Sequence, residues 1–177
     1  VAWALPHVAP DLTTAIVPVG APHPLALRSL RARALSGPAL QYVSLRIPGL
    51  AERRLRSRSA LEGLLRSWAG PHTREALAEE APYYAELLSR PGAAHSALEP
   101  LRNLVLSRAE TAALDKPVTV PVLSVQGELD PVQPAQAYAR DTHHVAGNLR
   151  QVTIHRSGHF PQEETPAGLV RALLPFL

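Results

Sequence analysis

Two segments in the last third of the chain carry side chains whose types and order could do chemistry together. Val120-Pro121-Val122-Leu123-Ser124-Val125-Gln126-Gly127-Glu128-Leu129-Asp130-Pro131 ends an apolar run on a carboxylate, and Ser157-Gly158-His159-Phe160-Pro161 ends the next one on an imidazole. A carboxylate that accepts a hydrogen bond from one ring nitrogen of a histidine fixes its tautomer and stabilises the imidazolium, which frees the other nitrogen to act as general base. Such a base would activate a nucleophile, or a water in a second step. Glu128 competes with Asp130 for the acid role from a position closer to the strand. Taken singly, each segment also reads as a plain turn, since Asp and Pro supply turn chemistry. Their order, and a separation that fits one strand-helix-strand unit, favour the joint reading of Asp130 and His159 as catalytic residues.

The surrounding elements must bring the two together. Pro121 suits the first residue of a strand, Val122 to Val125 are continuously apolar, and Gly127 turns the chain out. Pro134 fits the first position of a helix carrying Ala137, Tyr138 and Val145 and closed by Gly147. Leu149, Val152 and Ile154 mark a further strand. Thr165-Pro166 reads as a cap plus first helical residue, with Leu169, Val170, Leu173, Leu174 and Leu177 on one face. Strand, helix, strand, helix with short connections predicts parallel pairing and right-handed crossover. Asp130 and His159 then fall beyond the carboxyl ends of their strands, where open parallel sheets gather ligands.

Earlier in the chain, residues Val1 to Pro10 read as the tail of a helix broken by Pro6, followed by a strand-like run from Thr13 to Val19. From about Leu25 to Ala113, apolar residues recur three and four apart, with breakers at Gly37-Pro38, Pro48-Gly49, Gly70-Pro71, Pro82 and Pro91-Gly92. This predicts an α/β fold, a parallel sheet interrupted by an all-helical lid. The expected boundaries are residues 1–24 for a first core segment, 25–113 for the cap, and 114–177 for the core segment bearing acid and histidine. A helix feeding a strand at the very start, without an initiating methionine, suggests a fragment of a longer protein.

The 177 residues, 46% hydrophobic and 19% charged, suffice for one core or a core with an inserted subdomain. The absence of cysteine excludes disulfides, a thiolate nucleophile and cysteine metal sites. No window approaches the roughly 20 apolar residues that span a bilayer, and no basic region precedes an apolar one at the start, so the expected compartment is the cytoplasm. The net charge is +3, and Lys116 is the only lysine. Arg53, Arg54, Arg56 and Arg58, with Arg46 and Arg66 nearby, interleave with Leu50, Leu55, Leu61, Leu64, Leu65 and Trp68. That pattern reads as the wet face of an amphipathic helix rather than a nucleic-acid or membrane surface. His155 and His159 have metal-pair spacing only on a helix, which Gly158 opposes, and His143 and His144 face apart. No metal and no cofactor are expected.

With these motifs in view, the chain resembles the C-terminal part of an α/β-hydrolase, nearest to the epoxide hydrolase and haloalkane dehalogenase branch. The strongest matches are Gly127-Glu128-Leu129-Asp130-Pro131 and Ser157-Gly158-His159-Phe160-Pro161-Gln162-Glu163-Glu164-Thr165-Pro166. Val1-Ala2-Trp3-Ala4-Leu5, Ile16-Val17-Pro18-Val19-Gly20-Ala21-Pro22-His23-Pro24 and Pro48-Gly49-Leu50-Ala51-Glu52 add weaker ones. The resemblance implies a triad with Asp130 as acid and His159 as base, and N-terminal strands and a nucleophile elbow lying upstream of Val1. It implies hydrolysis of a small, mostly apolar ester, lactone, epoxide or haloalkane, the alternative being a non-catalytic protein that binds a ligand beneath the lid. Epoxide hydrolases of this branch use two lid tyrosines as donors to the epoxide oxygen. The aligned positions here hold Gln41, beside Tyr42, and Leu101. Tyr42 and Trp68 are the candidate substrate-binding side chains, each with ordinary lid packing as its alternative, and Tyr83 or Tyr84 could substitute as donor. His23 reads as structural, ending the strand where the lid departs.

Overall fold

A computed structural model describes residues 2–28, 44–45, 47–102, 106–133 and 135–177. At its centre lies β1 (Val122–Gly127), paired in parallel with β2 (Leu149–Ile154) in the register Val122 to Leu149 through Gly127 to Ile154. On the other side of β1 runs the segment from Ile16 to Val19, parallel through bridges at Ile16 with Val122 and Val19 with Val125. Pro18 has no N–H to give, yet its carbonyl accepts from Val125 N at 2.9 Å, and Gly20 N donates to Val125 O at 2.9 Å. The expected run from Thr13 is therefore a shorter, two-bridge strand. Flanked on both sides, β1 is buried along nearly its whole length, whereas β2, an outer strand, buries only Ile154 and exposes Arg150, Gln151 and Thr153.

Alternate side chains of β1 feed two clusters. Val122 packs with Trp3, Ile16, Leu114 and Val118 on one face, and Leu123 and Val125 pack with Ile154, Leu169 and Ala172 on the other. The crossover between β1 and β2 comprises a helix at Ala135–Ala139 and a 3-10 turn at Arg140–His144. It is shorter than expected: Val145 has left it to bridge with Val118. Pro134 lies outside the described residues.

Between the core segments come helices Leu50–Leu55, Arg58–Trp68, Arg74–Glu79, Ala81–Ser89, Ala93–Arg102 and Arg108–Leu114, after a short helix at Pro24–Arg28. Leu55, Leu61, Leu65, Trp68, Leu77 and Leu98 form the core of this helical layer. Each fully buried leucine contributes roughly 1.5–3 kcal/mol. Ser57 caps Arg58–Trp68 by accepting from Ala60 N, and Ser107 and Glu110 bond reciprocally at the start of Arg108–Leu114. The arginine cluster is thus split over two helices by the break at Arg56 and Ser57, and Leu50 is exposed rather than packed. Arg58 pairs with Glu62 and Arg66 with Glu75, both at 2.9 Å.

Three prolines or caps depart from expectation. Pro6 and Pro82 sit in the first turns of Leu5–Val8 and Ala81–Ser89 rather than breaking helices, because the missing N–H is not needed there. Pro166 does open a helix, Pro166–Leu173, although Thr165 caps it without a side-chain hydrogen bond. The pair Gly37-Pro38 lies outside the described residues. Among the described residues no helix is long and apolar enough to cross a membrane.

Candidate active site

The carboxyl ends of the three parallel segments converge on one rim. At the end of β1 the chain turns through Asp130 N to Gly127 O (3.3 Å), while Glu128 N and Leu129 N bond to Ile154 O (3.0 Å) and Ser157 O (2.8 Å) at the end of β2. These bonds tie the acid-bearing turn to the histidine-bearing loop. Glycine makes the approach possible: a Cβ on Gly127 would lie 1.8 Å from Gly158 O, and one on Gly20 2.9 Å from His159 O.

Asp130 Oδ2 lies 3.0 Å from His159 Nδ1. Its Oδ1 accepts from Val132 N at 2.7 Å and Gln133 N at 2.9 Å, an Asx-type turn that fixes the carboxylate from its own backbone. Tyr138 Oη reaches Oδ2 at 3.4 Å. The Asp130 side chain is 2% exposed and that of His159 16%, so the carboxylate is sealed while the imidazole keeps an open side. His159 Nε2 makes no hydrogen bond among the described residues. The backbone N of His159 donates to Trp68 O at 3.0 Å, and its ring stands edge-on to Trp68 at 5.2 Å and to Phe160 at 5.3 Å.

Glu128 is occupied elsewhere. Its Oε2 accepts from Arg156 N at 2.9 Å and lies 2.7 Å from His155 Nδ1. His155 and His159 therefore engage different carboxylates and point to different neighbours. Among the described residues no three His, Cys, Asp or Glu side chains are grouped as metal ligands.

Trp68 and Phe160 also form a wall of an apolar cavity of about 380 Å³ between the helical layer and the histidine loop, with Leu61, Leu65, Leu77 and Tyr84 among its other residues. Burial, then the carboxylates of Glu163 and Glu80, then Tyr83 and a hydrogen bond to Glu163 push the Tyr84 pKa up, which keeps its phenol protonated. Tyr83 is largely exposed, and Tyr42 and Gln41 lie outside the described residues. A larger groove of about 700 Å³ runs along the outer edge of β2 past Arg150, Arg156 and Arg171. Neither Asp130 nor His159 lines either space; the apolar cavity adjoins His159 through its neighbours Trp68 and Phe160.

No protein-family model matches the chain. Over 100 residues, 56% of this chain, it is 34% identical to Epoxide hydrolase A of Mycobacterium tuberculosis. The crystal structure of Cfl2 from Burkholderia cenocepacia superposes with a TM-score of 0.73 and 27% identity, covering 97% of this chain and 59% of Cfl2. Epoxide Hydrolase A from Mycobacterium thermoresistibile superposes with a TM-score of 0.69 and 22% identity, covering 99% of this chain and 65% of that enzyme. The chain has the α/β-hydrolase fold. It spans 31% of the length of the curated relative and under two thirds of either structure.

Within this α/β-hydrolase fold, two features escape the sequence reading. Glu164 accepts four hydrogen bonds that join the histidine loop to the helical layer. In the sequence it stands inside the family-like run Ser157 to Pro166, where nothing local assigns it a role. The second is a buried group on the Val122 face. His23 is fully buried and stacked on His144 at 3.9 Å, its backbone N donates to Asp141 Oδ1 at 2.8 Å, and Ser124 Oγ donates to Asp141 Oδ2 at 2.7 Å. His23 thus ends the strand as a packed residue, with Trp3 edge-on at 4.9 Å.

Proposed function

We propose that this chain carries the general base and orienting acid of a hydrolase acting on a small, mostly apolar ester, lactone, epoxide or haloalkane. The observation that carries the reading is the 3.0 Å contact of Asp130 Oδ2 with His159 Nδ1 at the strand ends, with Nε2 left open. In that arrangement Nδ1–H donates to Asp130, and the lone pair on Nε2 takes a proton from the attacking group. The nucleophile would reach Nε2 from outside the described residues. With a hydroxyl nucleophile, His159 removes its proton as an acyl-enzyme forms; with a carboxylate nucleophile, His159 deprotonates the water that cleaves an alkyl-enzyme ester. Asp130 stabilises the imidazolium in either case.

The apolar cavity beside Trp68 and Phe160 supports an apolar substrate portion, since about 380 Å³ holds a small organic group.

The test is turnover of ester, lactone, epoxide and haloalkane panels by the full-length protein and its His159→Ala variant. A loss of several orders of magnitude is expected, as for removal of triad members generally. Undiminished turnover by a folded variant would sink the reading, and no turnover by the parent itself would leave a ligand-binding role for the cavity.

A further inference from the structure

Three consecutive backbone amides around His159 are all tied down, the middle one by a backbone carbonyl and the outer two by one carboxylate. His159 N donates to Trp68 O at 3.0 Å. Gly158 N donates to Glu164 Oε2 at 2.9 Å, and Phe160 N to Glu164 Oε1 at 3.0 Å. The same Oε2 accepts from Gly70 N at 2.7 Å and from Thr73 Oγ1 at 2.6 Å, 94 and 91 residues away in sequence. One carboxylate therefore clamps the residues before and after His159 to the turn that leaves helix Arg58–Trp68. The two backbones meet directly there: a Cβ on Gly158 would lie 2.2 Å from Gly70 N.

We infer that Glu164 is a positioning residue, which locks the His159 backbone to the helical cap so that the aim of Nε2 depends on how the cap is seated. The inference rests on the reading of His159 as the general base. The chemistry of the acceptor is specific. An ionised carboxylate offers about four lone-pair sites and no donor, and its bonds to N–H groups are charge-assisted. A glutamine of the same shape has one oxygen and one NH₂, so it must turn donors toward Phe160 N or toward the Gly70, Thr73 and Gly158 group. At least one part-buried amide then loses its acceptor, and the loop shifts to find another. His159 sits between the two affected amides, and a shift of about 1 Å in a reacting group costs on the order of 100-fold in rate.

The experiment compares the full-length protein with Glu164→Gln, Thr73→Val and His159→Ala, using 4-nitrophenyl butyrate and styrene oxide as probes. It adds NMR titration of the His159 ring in histidine-labelled protein, assigned through His159→Ala. Glu164→Gln is expected to lower kcat by about 100-fold with little change in KM, and to move the titration midpoint of His159. Thr73→Val removes one cap-side donor and keeps the other three bonds, so it is expected to move both readouts in the same direction by less. It also serves as the deciding variant if Glu164→Gln does not fold. Normal kcat and an unmoved His159 titration in folded Glu164→Gln, or in Thr73→Val where that variant decides, overturns the inference. If His159→Ala is inactive in that case, only the positioning role fails; if His159→Ala is itself fully active, the base assignment fails with it.

Discussion

Asp130 reaches His159 with one oxygen and its own backbone with the other. Oδ2 lies 3.0 Å from His159 Nδ1, and Oδ1 accepts from Val132 N and Gln133 N at 2.7 and 2.9 Å. The carboxylate is fixed before the histidine is considered, so it can dictate the imidazole's tautomer rather than adapt to it.

Asp130→Asn isolates that role. The amide oxygen can still accept from Val132 and Gln133, which leaves NH₂ facing Nδ1 and forces the proton onto Nε2. A base protonated at the reacting nitrogen cannot accept another, so turnover in the full-length protein should fall by on the order of 10⁴-fold. Thermal melting should change little. A folded Asp130→Asn enzyme with its rate intact would refute tautomer control.

Glycines around the rim give a stability prediction with an internal control. Gly158→Ala puts a methyl group 2.2 Å from Gly70 N and 2.6 Å from Ala69 C, both backbone atoms unable to move without parting the cap from the sheet. Overpacking of this kind costs ~1–3 kcal/mol or more, and the displaced loop carries His159. Gly63, exposed within helix Arg58–Trp68, has nothing within 4 Å of its added Cβ. Gly63→Ala should instead stabilise by about 1 kcal/mol through helix propensity. Opposite shifts in denaturation midpoint are expected, and shifts of the same sign would contradict the packing described.

The buried group of His23 and Asp141 predicts a pH dependence with two opposed contributions. Burial, then the charges of His144 and His7, lower the His23 pKa from 6.5 to about 3. Burial raises Asp141 from 3.8 to about 6, against hydrogen bonds from His23 N and Ser124. Between pH 6.5 and about 3 the unfolded chain binds a proton at residue 23 that the folded protein refuses, so His23 removes stability as pH falls. His144, also lowered by burial and by His143 against Asp115, acts in the same sense. Between about 6 and 3.8 the folded protein holds a proton on Asp141 that the unfolded chain has released, so Asp141's penalty at neutral pH is relieved as pH falls. Asp141→Asn deletes the relief while its amide can still serve His23 N and Ser124. Denaturant unfolding from about pH 7 to pH 4 should show the variant losing stability more steeply than the parent below pH 6. Equal slopes would mean Asp141 is ionised throughout in the fold.

What was legible in the sequence divides along local and distant interactions. The parallel pairing of Val122–Gly127 with Leu149–Ile154 follows from two apolar runs joined by a short crossover, and that same pattern puts Asp130 and His159 at one rim. The break at Arg56 and Ser57 was hidden by a continuous leucine rhythm, which one long helix or two short ones satisfy equally. Pro6 and Pro82 read as breakers because a proline's effect depends on whether it falls in the first turn, and helix starts are weakly marked. Glu164 was illegible for a different reason: its acceptor role exists only once Gly70 and Thr73 dock from 94 and 91 residues away. The same holds for Asp141, bonded to His23 across 118 residues.

Trp68 offers a separation of backbone from side-chain function. Its carbonyl accepts from His159 N at 3.0 Å whatever side chain the residue bears, while its indole stands edge-on to His159 at 5.2 Å and walls the apolar cavity. Trp68→Phe preserves the carbonyl bond and an aromatic edge, and removes apolar surface from the cavity wall. Loss of such surface weakens ground state and transition state alike, which raises KM and spares kcat. For a butyrate or longer apolar ester the expected rise in KM is on the order of tenfold, with kcat nearly constant. The rise should shrink for an acetate ester, whose acyl group is too short to fill the cavity. An equal effect on both esters would put the substrate elsewhere, and a fall in kcat without a change in KM would mean the indole acts through the aim of His159.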